Sequence, residues 1–257
     1  MKIFVTGGTG FVGRHLVEAL QSANHDVTIL SRQRQEDSNI VNELPKDLSG
    51  FDFVYHLAGV LGAPNIPKIS YEAAHVELTK RLTDRMSGQP FVFMSTAYVN
   101  VSSSHIYYTQ TKQEGERIAL KAANVRIVRP GFIYGPGDMH HYPLFKWIKR
   151  LGSLFPIQGD GNNQICPTYV DDVVESILPQ VHQAGLLSIA GLALTMKKFI
   201  ETIAETEEVG KPLIHLPPLF KTDFFCTEYV FLSDIQPTSL SYGLRNTIAW
   251  YKQEGLL

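Results

Sequence analysis

Near the N-terminus the chain reads Lys2-Ile3-Phe4-Val5-Thr6-Gly7-Gly8-Thr9-Gly10-Phe11-Val12-Gly13. An apolar run of strand type is followed by closely spaced glycines, and the amphipathic pattern of a helix then continues over 11–23. A glycine turn between a strand and a helix lets backbone N–H groups and the helix N-terminus approach a phosphate. The stretch therefore predicts a β-strand, a phosphate-binding loop and a helix, which form the first unit of a parallel α/β sheet.

Strand and helix patterns continue to alternate from this start, which is typical of a doubly wound parallel sheet with helices on both faces. We expect further strands at 26–30, 53–58, 90–96, 125–128, 186–190 and 213–216, and further helices at 71–86, 107–123, 169–178, 195–205 and 241–252. After Arg129 many prolines and glycines interrupt the pattern. Irregular regions of this kind usually carry binding specificity.

Length and composition agree with one large or two interleaved globular domains. The chain has 257 residues, of which 44% are hydrophobic and 19% charged, so it can bury a substantial core. We expect an α/β fold in which residues 1–130 and about 166–184 form a dinucleotide-binding Rossmann domain. A smaller C-terminal substrate-binding lobe is expected from 131–165 and 185–257.

Charge and cysteine content exclude several classes of partner. The formal net charge is -2, so no global field favours nucleic acid or an anionic membrane. Cys166 and Cys226 are too few for a disulfide framework and lack the spacing of a zinc site. The apolar runs are far shorter than a membrane span. We expect a cytoplasmic protein that binds no metal and takes a small-molecule substrate.

Several later motifs accompany the glycine loop and give it a family context. They are the stretches DFVYHLAG at 52–59, STAY at 95–98, YTQTK at 108–112, RPGFIYGPG at 129–137 and YVDDV at 169–173. With the G-x-x-G-x-x-G spacing they resemble the extended short-chain dehydrogenases/reductases, often labelled NAD-dependent epimerase/dehydratase. The resemblance implies an NAD(P)-dependent enzyme and a homodimer in which helices 71–86 and 107–123 pair with their mates.

Tyr108 and Lys112 match the Tyr-x-x-x-Lys pair of that family. They lie four residues apart on a predicted helix, hence on one face, where the ammonium favours the phenolate form of the tyrosine. Tyr142 and Lys146 repeat the spacing, but Tyr142 precedes Pro143, which biases it away from helix. Tyr108 is therefore the predicted acid/base and Lys112 the residue that tunes its pKa and contacts the cofactor ribose.

Two adjacent hydroxyls, Ser95 and Thr96, lie at the end of the strand that precedes the Tyr108 helix. Thr96 matches the family position better, and we expect it to hold the reacting oxygen. The other hydroxyl would satisfy backbone groups at the strand end. The predicted catalytic residues are thus Thr96, Tyr108 and Lys112.

The sequence departs from the family pattern at His75, in the short stretch between Leu30 and Asp52, and just before Tyr169. His75 stands before Thr79 where relatives commonly have an Asn that supports a proton relay; both a replacement for that Asn and a packed helix histidine stay open. His140 and His141, in the presumed substrate loop, are either ligand contacts or solvated side chains. No arginine stands just before Tyr169, which weakens a nucleotide-sugar interpretation.

The end of the second strand predicts which dinucleotide binds. Leu30 is followed by Ser31-Arg32-Gln33-Arg34 instead of the carboxylate that NAD enzymes place there. A hydroxyl and two guanidinium groups suit a 2′-phosphate, so NADP is expected over NAD. The full set of expected cofactor contacts is Gly7, Gly10, Phe11, Val12, Gly13, Ser31, Arg32, Leu57, Ala58, Gly59, Tyr108, Lys112 and Pro130.

These features predict an oxidoreductase that transfers a hydride between nicotinamide and a carbonyl or secondary alcohol of a modest-sized substrate. The alternative is a nucleotide-sugar epimerase that retains its NAD. A non-catalytic dinucleotide-binding sensor is a lesser alternative, opposed by the presence of Thr96, Tyr108 and Lys112 together.

Overall fold

The computed structural model describes residues 1–32, 39–62, 66–100, 106–217 and 236–257. The chain divides into two compact units: unit 1 comprises Met1–Pro130 and Val173–Ile189, and unit 2 comprises Gly131–Asp172 and Ala190–Leu257. The ranges expected from the sequence differ from this division at residues 166–172 and 185–189. Strand pairing is the reason, because 185–189 hydrogen-bonds within the sheet of unit 1, whereas 167–169 pairs within unit 2.

The strands are β1 (Lys2–Thr6), β2 (Asp26–Leu30), β3 (Ile40–Val41), β4 (Phe53–His56), β5 (Phe91–Met94), β6 (Val125–Pro130), β7 (Phe132–Tyr134), β8 (Pro156–Gln158), β9 (Gln164–Ile165), β10 (Pro167–Tyr169), β11 (Gly185–Ile189), β12 (Leu194–Thr195) and β13 (Ile214–Leu216). The α-helices are α1 (Phe11–Ser22), α2 (Lys68–Tyr71), α3 (Leu78–Thr83), α4 (Ile106–Ala119), α5 (Tyr142–Leu151), α6 (Val170–Glu175), α7 (Met196–Thr206) and α8 (Leu240–Gln253). A π-helical segment (Glu72–Glu77) joins α2 to α3, and short 3₁₀ turns cover Ala97–Asn100, Gly152–Leu154 and Pro179–Val181.

Unit 1 is built on a seven-stranded sheet in the order β11-β6-β5-β4-β1-β2-β3. Every pairing in it is parallel. All residues of β4 and β5 are buried, as expected for strands covered on both faces. The strand order reverses between β1 and β4, which is the point where doubly wound sheets bind ligands. The predicted Rossmann-type parallel sheet is confirmed.

Three local features differ from the sequence expectations. β3 is a two-residue strand within the polar stretch after Leu30, too short to leave a hydrophobic pattern. The helix expected at 71–86 begins earlier, at Lys68, and contains the π-helical segment. Tyr142 is the first residue of α5, although Pro143 was expected to bias it away from helix. Proline is tolerated in the first helical turn because N–H groups there have no intrahelical acceptor.

Unit 2 has its own core and, within the residues that the structure describes, three two-stranded sheets. β7 pairs with β10 and β8 with β13 in parallel, whereas β9 and β12 are antiparallel. Tyr134, Phe145, Phe199 and Tyr251 are among the fully buried side chains of this core.

Membrane spans and metal sites are both absent from the described ranges. None of the helices they contain is long and apolar enough to cross a membrane. Over the same ranges, no cluster of three or more His, Cys, Asp or Glu side chains has the arrangement of a metal site.

Gly115 permits a close approach of α4 to the π-helical segment. A Cβ at this position would lie 2.5 Å from the carbonyl oxygen of His75 and 2.8 Å from Cζ of Phe93. Both atoms belong to well-packed parts of unit 1, so neither can move away cheaply.

We therefore expect Gly115→Ala to destabilise the protein. Alanine improves helix propensity by about 1 kcal/mol, but overpacking against a backbone oxygen costs up to about 3 kcal/mol. The expected net loss is about 2 kcal/mol in the free energy of unfolding, measured by urea titration. Gly50→Ala, which meets nothing within 4 Å, is the matched control. A Gly115→Ala protein as stable as the control would contradict the close packing.

Candidate active site

The glycine loop joins β1 to α1 at the point where the strand order of the sheet reverses. It packs directly against the segment that follows β4. Gly7 has φ +76°, and a Cβ there would lie 2.5 Å from the amide nitrogen of Ala58. A Cβ at Gly13 would lie 2.0 Å from the carbonyl oxygen of Gly7. Only glycine fits either position, because both approaches are made by backbone atoms.

Helix α1 begins directly after this loop. Its N-cap is Gly10, which has no side chain to accept from the N–H groups of the first turn. The amide of Gly10 itself donates to the carbonyl of Gly7 at 3.0 Å and so fixes the turn. First-turn N–H groups that lack an intrahelical acceptor favour a negatively charged group. The loop therefore has the form of a phosphate cradle at the start of a twelve-residue helix.

Ser31 and Arg32 follow β2 in the same unit. The backbone N–H of Ser31 donates to the carbonyl of Val41 at 3.0 Å, and Asn42 Nδ2 donates to the carbonyl of Ser31 at 3.0 Å. Ser31 is buried and Arg32 is exposed. Gln33 and Arg34, also named in the sequence analysis, lie outside the described residues.

Tyr108 and Thr96 are brought together from α4 and the end of β5. The Tyr108 hydroxyl and the Thr96 side chain form a hydrogen bond. Burial raises the pKa of Tyr108 to about 12, the bond to Thr96 opposes this, and neighbouring Tyr71 adds to it. The sequence led us to expect a pKa lowered by Lys112. In this structure burial, which raises the pKa of Tyr108, outweighs the effects that lower it.

Ser95 differs from Thr96 in the hydrogen bonding of its hydroxyl. Its Oγ is buried and has no hydrogen-bond partner in the part of the chain that the structure describes. The hydroxyl preferred from the sequence, that of Thr96, is thus the one that contacts Tyr108.

Lys112 lies one helical turn after Tyr108 and is buried. Its Nζ donates to the carbonyl of Met94 at 2.9 Å, which fixes the ammonium beside the end of β5. Burial lowers the pKa of Lys112 to about 8, and the negative charge of Glu116 opposes that shift. Glu116 is held by Arg129 in a two-point contact, Nε to Oε1 at 2.8 Å and Nη2 to Oε2 at 2.6 Å.

A buried histidine in β4, His56, begins a hydrogen-bond chain that the sequence analysis did not anticipate. His56 Nδ1 lies 2.7 Å from Thr6 Oγ1, and its Nε2 lies 2.9 Å from Thr79 Oγ1. Because Thr79 donates its hydroxyl hydrogen to the carbonyl of His75, it accepts from His56 Nε2. His56 is therefore the neutral Nε2–H tautomer. The sequence signal was a histidine inside a strand predicted to be wholly buried.

His140 and His141 lie in unit 2 around Asp138. The buried Asp138 carboxylate accepts from the backbone N–H groups of both histidines, at 2.9 and 3.1 Å, and pairs with His141 Nδ1 at 2.6 Å. These contacts organise the start of α5, and a ligand contact by either histidine stays a prediction.

The site and sheet described above define a dinucleotide-binding enzyme of the Tyr–Lys type, and comparison with known proteins agrees. Residues 3–184, more than two thirds of the chain, match the model of the NAD dependent epimerase/dehydratase family. The chain belongs to this family. The predicted relation to the extended short-chain dehydrogenases/reductases, and with it an NAD-dependent enzyme, is confirmed.

Individual relatives differ in the reactions that their names describe. A 2-alkyl-3-oxoalkanoate reductase of Stenotrophomonas maltophilia is 26% identical over 87% of this chain and 80% of its own length. A UDP-N-acetyl-alpha-D-glucosaminuronate decarboxylase of Bacillus cytotoxicus is 25% identical over 98% of both chains. A UDP-glucuronic acid 4-epimerase from Bacillus cereus, solved with UDP-glucuronic acid and NAD, has a TM-score of 0.80 at 22% identity and covers 99% of this chain and 100% of its own.

The buried histidines make stability depend on pH. Burial, with a further effect of the Lys112 charge, lowers the pKa of His56 to about 3, and the pKa of His75 is also lowered to about 3. An unfolded histidine titrates near 6.5, so the unfolded state takes up protons first as the pH falls. The stability that these groups contribute is complete above pH 6.5 and is lost between 6.5 and 3.

We expect the free energy of unfolding to fall by about 2 kcal/mol per histidine between pH 7 and pH 5. Urea titrations at the two pH values measure this. His56→Gln is expected to reduce the pH dependence by roughly one histidine's share. An unfolding free energy that is constant over this range would show that neither ring is excluded from protonation.

Proposed function

We propose that this protein transfers a hydride between a nicotinamide dinucleotide and a carbonyl or secondary alcohol of a modest-sized substrate. The observation that carries the proposal is the hydrogen bond between Tyr108 and Thr96, with the Lys112 ammonium fixed one helical turn away. A proton donor, a second hydroxyl and a cation are what carbonyl reduction requires beside the reacting oxygen.

In this proposal Tyr108 gives the proton to the substrate oxygen and Thr96 orients that oxygen. Burial raises the pKa of Tyr108, so its hydroxyl is protonated at neutral pH, which is the form that donates a proton to a carbonyl oxygen. Lys112, charged at neutral pH, stabilises the phenolate that remains after donation. The bound nicotinamide would supply or accept the hydride.

The residues around the glycine loop fit a dinucleotide. Cβ atoms at Gly7 or Gly13 would clash with backbone atoms, so these glycines keep the loop tightly folded, and helix α1 begins directly after it. Parallel strands β1 and β4 end together at this place, next to Ala58. The contacts proposed here are Gly7, Gly10, Phe11, Val12, Gly13, Leu57, Ala58, Gly59, Tyr108, Lys112 and Pro130.

For the dinucleotide we propose NADP(H) over NAD(H). β2 ends at Leu30 and is followed by Ser31, whose backbone is held in place, and by the exposed guanidinium of Arg32. A carboxylate directly after β2 would repel a 2′-phosphate, whereas an arginine attracts it by charge-assisted hydrogen bonds. Several structural neighbours were solved with NAD, so this preference would distinguish the chain from them.

A nucleotide-sugar epimerase is the second candidate, because the UDP-glucuronic acid 4-epimerase shares the fold over nearly the whole chain. Such an enzyme would keep its cofactor through purification and show no net redox change. Gln164 and Cys166, instead of an arginine, precede Tyr169, which favours the reductase. The hydrogen bond between Thr96 and Tyr108, with Lys112 fixed one helical turn away, argues against a non-catalytic sensor.

We also propose a homodimer formed through α2, α3 and α4, as the family resemblance implies. Ile69 on α2 exposes most of its apolar side chain, which supports a partner on this face. Light scattering at micromolar concentration is expected to give twice the mass of the 257-residue chain. A monomer mass across the concentration range would reject the dimer.

Tyr108→Phe tests the reaction itself. The variant keeps the packing of the ring and loses the transferable proton, so we expect turnover to fall at least about 1,000-fold while dinucleotide affinity changes little. Turnover is followed by NAD(P)H absorbance on a panel of ketones and secondary alcohols. Tyr142→Phe, in the other Tyr-x-x-x-Lys of the chain, is the matched control. Equal turnover in the two variants would remove Tyr108 from the acid/base role.

Arg32→Ala tests the cofactor preference. A charge-assisted contact to the 2′-phosphate contributes about 1.5–3 kcal/mol, so NADPH affinity is expected to fall roughly ten- to a hundredfold. NADH affinity is expected to stay unchanged. Titration of both reduced dinucleotides measures this, with exposed Arg245→Ala as the control. Tighter binding of NADH than NADPH by the unsubstituted protein would overturn the preference.

A further inference from the structure

His75 lies within the π-helical segment Glu72–Glu77 and is buried. π-helical turns are rare and are often found at functional sites. The carbonyl of this residue accepts from Thr79 Oγ1 at 2.6 Å and lies against Gly115 of α4, where a Cβ would come within 2.5 Å of it. The backbone of His75 is therefore fixed from two directions.

Both ring nitrogens of His75 are engaged. The backbone N–H of Val60, four residues after β4, donates to Nε2 at 3.0 Å, so Nε2 carries no hydrogen. Nδ1 must then carry it and donates to Thr111 Oγ1 at 2.9 Å. The Thr111 hydroxyl has the carbonyls of Tyr107 and Tyr108 within 3.1 Å as acceptors. One neutral imidazole thus connects the segment after β4 to the helix of Tyr108.

The same ring lies next to the ammonium of Lys112. A Cβ at Gly59 would be 3.1 Å from Lys112 Nζ and 3.4 Å from His75 Nε2, so both groups border the same side of Gly59. The Tyr108 ring packs edge-on against the imidazole, with centroids 5.6 Å apart. His75 therefore lies beside both α4 residues that the proposed chemistry uses, Tyr108 and Lys112.

We propose that His75 is a positioning residue that holds the Gly59–Val60 segment in register with Tyr108 and Lys112, and that it does not carry protons. This inference rests on the proposed function, in which that segment forms part of the dinucleotide site. Since both nitrogens are already bonded, a proton can enter the ring only if the Val60 contact breaks. Burial and the nearby Lys112 charge, which lower the pKa of His75, oppose that entry.

Three substitutions separate the two contacts of the ring. His75→Gln places an oxygen acceptor where Nε2 stood and so keeps the Val60 bond. His75→Asn reaches only the position of Nδ1, which keeps the Thr111 bond and loses Val60. His75→Phe keeps the ring packing against Tyr108 and loses both bonds. If the Phe variant does not fold, comparison of His75→Gln with His75→Asn still tests the bond to Val60.

The readouts are NADPH affinity, from the fluorescence of the bound nicotinamide, and hydrogen exchange at the Val60 amide. For His75→Gln we expect an NADPH Kd within about threefold of the unsubstituted protein and a protected Val60 amide. For Asn and Phe we expect a Kd raised about tenfold and an amide that exchanges at least tenfold faster. The pH profile of kcat is expected to be the same in the Gln variant as in the unsubstituted protein.

Equal NADPH affinity in all three variants would overturn the positioning role. A Gln variant with normal affinity but a shifted pH profile or lost turnover would assign a proton-carrying role to His75 instead. These outcomes are distinct from a failure of the proposed function, in which the unsubstituted protein would bind neither NADPH nor NADH. The exchange rate at Val60 needs no substrate and reports on the contact itself.

Discussion

The close contact between Gly7 and the backbone of Ala58 is the constraint on which the rest of the site depends. It brings the loop after β1 against the segment after β4, with no room for a Cβ. The segment after β4 continues to Gly59 and Val60, which lie against Lys112 and His75. A residue larger than glycine at position 7 would separate the phosphate cradle from the groups that carry the proposed chemistry.

Burial is the dominant electrostatic effect around this site. It raises the pKa of Tyr108, lowers that of Lys112 and keeps His56 and His75 neutral. At Lys112 the negative charge of the buried Glu116 opposes the lowering of the pKa, and Glu116 is itself paired with Arg129. In a medium of low dielectric constant a single neighbouring charge has a large effect, so the state of Lys112 depends on this ion pair.

The family resemblance and the structure answer different questions about function. The family match makes the chain an NAD-dependent enzyme, but the names of its relatives include a reductase, a decarboxylase and an epimerase. One fold can carry several activities, because the residues of the site and not the fold choose the substrate and the reaction. Assignment of a substrate class therefore has to come from binding and turnover experiments on this protein.

Local pattern in the sequence was sufficient for the alternating strands and helices, the glycine loop and the Tyr108–Lys112 pair, because each depends on residues close together in the chain. It missed β3, the π-helical segment and the helical start at Tyr142, which short patterns do not encode. The contact between Thr96 and Tyr108, the raised pKa of Tyr108 and the two bonds of His75 were decided only by tertiary structure. Their physical cause is burial and contact among β5, α4 and the segment after β4, which lie tens of residues apart in the sequence.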